Sequence, residues 1–73
     1  MQIRRSHEKP AHYIVCRDGG RSWRAGDLVH FLLEHHVPIW FGAPDDQPEV
    51  VLSFGPLTDE VAAELRRCFT VLD

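Results

Sequence analysis

Apolar and polar positions change period along this chain, and each change marks an element. His12-Tyr13-Ile14-Val15-Cys16-Arg17 is rich in aromatic and β-branched residues and predicts a strand. Asp18-Gly19-Gly20 follows. Glycine tolerates positive φ and Asp-Gly is a strong hairpin signal, so Arg21–Arg24 is expected to return as a second strand. That places Trp23 against Tyr13 or Val15, with Ser22 as helix cap the competing reading. From Leu28 the period lengthens. Leu28, Val29, Phe31, Leu32 and Leu33 make a wide apolar helical face, with Asp27 as N-cap and Pro38 as stop.

Alternation then returns. Val37, Ile39 and Phe41 are expected on the core face of a strand, with Trp40 on the opposite face. Gly42 to Pro48 is a turn by composition. In the next strand Val50, Leu52 and Phe54 point one way, and Glu49, Val51 and Ser53 the other. Thr58 caps a last helix with Asp59 and Glu60 in its first turn and Arg66 and Arg67 near its end. Val61, Leu65, Cys68, Phe69 and Leu72 form its apolar stripe. The predicted order is ββαββα, an α+β fold with an antiparallel sheet and two helices on one face. Residues 1–73 form a single domain: 1–10 a frayed terminus or a short edge strand at Ile3, 11–25 an added hairpin, and 26–73 a helix–hairpin–helix.

Composition narrows the class. A chain of 73 residues holds one domain and a modest core. Its apolar share of 44% and charged share of 26% fit a folded protein. Neither a signal-peptide pattern nor an apolar run of about 20 residues occurs, so a small soluble, cytoplasmic protein is expected. Cys16 and Cys68 are expected as buried small hydrophobes rather than a disulfide framework. Charge is uneven. Up to Arg24 the basic residues Arg4, Arg5, Lys9, Arg17, Arg21 and Arg24 outweigh Glu8 and Asp18, whereas beyond it Arg66 and Arg67 face nine acids.

Candidate chemistry is sparse. His30, His35 and His36 share one helix, but their spacing does not stack them on one face, and no Cys-x-x-Cys pair accompanies them. No metal and no cofactor are therefore expected. Asp45 and Asp46 are turn formers, and Asp18-Gly19-Gly20 lacks the context of a phosphate loop. Without a catalytic constellation, the expectation is an interaction module and not an enzyme. The alternative is a small nucleic-acid-associated protein of a mobile element. It would use Arg4, Arg5, Lys9, Arg17, Arg21 and Arg24, with Trp23 as a stacking platform.

Val37-Pro38-Ile39-Trp40 after a leucine-rich helix, then a strand, then Gly55-Pro56-Leu57-Thr58-Asp59-Glu60-Val61-Ala62-Ala63-Glu64-Leu65-Arg66, resembles the TubC-type N-terminal docking domain of bacterial nonribosomal peptide synthetases. The resemblance covers residues 28–72, and His36 stands where that family carries a helix-ending glycine. Related stand-alone domains occur in proteins of mobile elements. The resemblance implies docking of a peptide or partner protein as an added strand. It implies Glu49–Phe54 as the receiving edge, with Glu49, Val51 and Ser53 along it and Trp40 near the groove. From the residues themselves, Trp23 and Trp40 on an open sheet face are the expected contact surface or a homodimer seam.

Overall fold

The protein is described from a computed structural model, and the described residues are 2–17 and 25–72. Strand β1 is Gln2–Arg5, β2 Tyr13–Cys16, helix α1 Ala25–Glu34, β3 Ile39–Phe41, β4 Val50–Phe54, α2 Asp59–Cys68 and β5 Val71–Leu72. The strands form one sheet in the order β3-β4-β2-β1-β5. All pairings are antiparallel except that of β1 with β5, so the fold is α+β with a mixed sheet.

The first hairpin differs from the one expected. β2 pairs with β1 across the loop 6–12, setting Ile3 opposite Val15. The expected return strand Arg21–Arg24 and its Trp23 lie outside the described residues. Ile3 has no alternating neighbours to announce a strand, but it is fully buried and β2 supplies its pairing. β5 was also unexpected. Phe69 closes α2 with extended backbone and donates its amide to the Leu65 carbonyl at 2.8 Å. Leu72 therefore leaves the helical stripe and runs parallel to β1 beside Arg4. Cys68 faces solvent, against the expectation of burial, whereas Cys16 is buried as expected.

One core holds both helices to one face of the sheet. Leu28, Phe31 and Leu32 of α1 and Leu65 of α2 pack with Ile3, Tyr13, Val15, Leu52 and Phe54. Tyr13 and Phe54 stack at 5.5 Å, and Phe31 meets Phe69 edge-on at 5.9 Å. Offset and edge-to-face rings are the favoured aromatic geometries.

Helix ends explain how the chain turns between layers. α1 begins at Ala25, so Asp27 lies inside the first turn rather than at the N-cap. Its carboxylate still complements the positive helix end. α1 finishes in a Schellman motif. Val37 donates to the Leu32 carbonyl at 2.9 Å and His36 to the Leu33 carbonyl at 3.2 Å, with His36 left-handed at φ 57. Leu32 and Val37, both buried, complete its apolar seal. Thr58 caps α2 as expected, its Oγ1 accepting from the Val61 amide at 3.2 Å.

Candidate functional site

Register fixes what the uncovered face of the sheet displays. Trp40 stands opposite Ser53, Ser53 opposite Ile14, Ile14 opposite Arg4, and Arg4 opposite Leu72. Side chains alternate along each strand, so this row lies on the face away from the core residues Leu52, Val15 and Ile3. Trp40 is 50% exposed. The sequence expectation for Trp40 and Ser53 on an open face agrees with this placement.

Over that row lies a groove of about 500 Å³. Its floor is Trp40, Ser53 and Ile14. The loop 6–12 borders one end and the β3–β4 turn the other. The first wall is ordered by its own hydrogen bonds. Ser6 donates its amide to the His12 carbonyl at 2.9 Å, and its Oγ accepts from the amides of Glu8 and Lys9. Leu57 ties the loop to the segment before α2 by donating to the Ala11 carbonyl at 3.0 Å. The loop brings two side chains to Trp40: the His12 ring centroid lies 6.1 Å away, and Lys9 Nζ lies 5.8 Å from the indole centroid. The second wall is built by Gly42, Ala43, Pro44 and Gln47.

The receiving edge expected at Glu49–Phe54 is not an edge. β4 is an interior strand, hydrogen-bonded to β3 on one side and to β2 on the other. The row of amides that would receive a partner is already filled by β2, and Arg17 donates to the Glu49 carbonyl at 3.0 Å. Glu49 is exposed, while Val51 and Ser53 are half-buried. Among the described residues, the outer edge on that side belongs to β3.

The hydrogen-bond phase of β3 identifies its free groups. Gly42 donates to the Val51 carbonyl and Gly55 to the Pro38 carbonyl, both at 3.2 Å. Antiparallel bonding repeats every second residue, so Trp40 faces β4 and the backbone groups of Ile39 and Phe41 point outward. Phe41 was expected in the core. By alternation it shares the core face, but β3 is a terminal strand and Phe41 ends it, leaving the ring 71% exposed.

Of the basic residues, Arg5 and Lys9 line the groove and Arg4 lies in the same cross-strand row. Arg17 is exposed, and Arg21, Arg24 and Trp23 lie outside the described residues. Burial pushes the Cys16 thiol above its ordinary pKa, with Arg4 opposing and Glu49 adding to the shift. Among the described residues, no group of three His, Cys, Asp or Glu side chains is arranged to hold a metal ion, and no helix is long and apolar enough to cross a membrane. Sequence reasoning missed the loop 6–12 as a wall. Its signal was present in Ser6, Pro10 and the two histidines, which are turn and surface types, but no periodicity links them to Trp40.

Comparison of the chain with protein-family models, with curated proteins and with solved structures finds no match.

Proposed function

We propose that the protein is an interaction module that accepts an extended segment of a partner protein as an added strand on the outer edge of β3. The observation that carries this reading is the edge itself, where Ile39 and Phe41 turn their backbone donors and acceptors outward and Trp40 and Phe41 stay exposed on opposite faces. Main-chain bonding along such an edge supplies affinity, and the flanking side chains supply specificity. Exposed aromatic side chains are frequent anchors of binding energy. This moves the docking site one strand outward from the edge that the docking-domain resemblance implies, and it leaves the mode of docking unchanged.

A displayed library of random peptides provides segments to test. Phe41→Pro removes the outward amide while leaving the bonds of Trp40 to β4 in place, and proline suits an edge strand. Phe41→Ala removes the ring and keeps the amide. Selected segments are expected to bind the Ala variant and to lose at least about tenfold in affinity for the Pro variant, about 1.4 kcal/mol. Equal binding to both folded variants rejects strand addition at β3.

A further inference from the structure

We infer that the groove above Trp40 is a nucleotide site, taking one flat base joined to one phosphate, an activity separate from strand addition at β3. The floor and the rim of the groove point to the two halves of that ligand.

The floor is aromatic and apolar. The half-exposed Trp40 ring continues into Ser53 and Ile14 along one cross-strand row. A flat ring laid there stacks on indole and covers the aliphatic side chain beside it, and such stacking tolerates any base. A volume of about 500 Å³ lies within the range of small-ligand pockets.

The rim is one-sided in charge. His7, Lys9 and His12 line the end made by the loop, against the single acid Glu8, while Arg5 borders that end but stands opposite the core-facing Tyr13. The opposite wall of Gly42, Ala43, Pro44 and Gln47 has no cation, and its turn carries the exposed acids Asp45 and Asp46. An anionic group on the ligand is therefore drawn to one end, which fixes the orientation of the base over Trp40. Lys9 serves both halves. Its ammonium sits 5.8 Å from the indole centroid, holding the stacking position by a cation–π contact. Lysine is a point charge on a flexible stem, so it can yield the ring to a base and turn to the phosphate.

The same base-and-phosphate unit occurs free or within a single strand, and a groove of about 500 Å³ fits one unit. The chain has two tryptophans, so Trp23→Phe leaves Trp40 as the only indole reporter. Fluorescence of that variant is titrated with adenosine monophosphate, adenosine, inorganic phosphate and a short oligoadenylate. Saturable quenching by the monophosphate is expected, at an affinity at least about tenfold above that of adenosine or phosphate alone. Lys9→Ala in the same background is expected to weaken the monophosphate by up to about fivefold and not to weaken adenosine, since the lost charge serves the phosphate and the base no longer displaces the ammonium from the indole. No saturable response to the monophosphate overturns the inference, as does equal affinity for monophosphate and adenosine. A response to oligoadenylate without one to the monophosphate also overturns it, assigning the face to single strands. Phe41 also borders the groove, so the nucleotide titration keeps Phe41 unchanged and the two readings fail separately.

Discussion

Gly55→Ala tests how the groove wall is attached to the sheet. Gly55 follows β4 with φ at +139, a backbone region that residues with a Cβ rarely adopt. A Cβ placed there would lie 2.8 Å from His12 Cγ and 2.9 Å from both His12 Cα and Cδ2. One of those atoms is backbone, so rotation of the imidazole alone cannot relieve the contact. Holding alanine in that conformation costs about 1–3 kcal/mol, and overpacking adds about 1–3 kcal/mol. The smaller unfolded-state entropy of alanine returns about 0.4–1 kcal/mol. The net loss is about 1–5 kcal/mol, against a total of about 4–11 kcal/mol for a domain of this length. Urea denaturation followed by circular dichroism should show the midpoint falling by about 1–3 M at an unchanged slope. Gly26→Ala is the control. Nothing lies within 4 Å of its Cβ position and it sits in α1, so alanine there should stabilise by up to about 1 kcal/mol. A Gly55→Ala protein within about 0.5 kcal/mol of the parent would refute the packing of His12 on Gly55.

Four further outcomes follow from the same geometry. Phe54→Ala removes a fully buried ring stacked on Tyr13 and should cost about 3–5 kcal/mol by urea denaturation. His36→Gly relieves a left-handed residue whose strain of about 1–2 kcal/mol exceeds the entropy cost of glycine, about 0.5–1 kcal/mol. It should therefore raise the melting temperature, and a decrease would contradict the Schellman assignment. A thiol reagent should label exposed Cys68 first and reach Cys16 only as the protein opens, as mass spectrometry of the labelled peptides would show. Because burial raises the Cys16 pKa, the unfolded chain releases that proton first as pH climbs through the ordinary thiol range. Cys16 thus contributes a loss of stability with rising alkaline pH, and Cys16→Ala should flatten the decline.

Much of the fold was legible because period and caps agree. The alternation of Val50, Leu52 and Phe54, the Thr58 cap and the leucine-rich helix each appear where their patterns place them. The sheet order was not legible. A strand such as Gln2–Arg5 carries one buried apolar residue, and its pairing with β2 comes from long-range contact rather than local pattern. The pairing of β2 with β4 makes β4 interior and leaves the free edge on that side to β3. The exposure of Phe41 has the same origin, since alternation tells which face a side chain takes and not how far the core extends beneath it. Trp40 was legible as a surface aromatic. Its neighbours Lys9 and His12 were not, because a loop of seven residues brings them there and no periodic signal records the approach.

Hydrogen exchange of individual backbone amides tests the claim about β3 most directly. In the free protein the amides of Ile39 and Phe41 should exchange quickly, and those of Trp40 and Ser53 slowly, because the hydrogen-bond phase makes Trp40 and Ser53 a bonded pair and turns Ile39 and Phe41 outward. Adding a peptide selected for binding should protect Ile39 and Phe41 and leave Trp40 and Ser53 as they were. Slow exchange of Ile39 and Phe41 before any partner is added, or no new protection after a tight binder is added, would contradict the edge as the docking site.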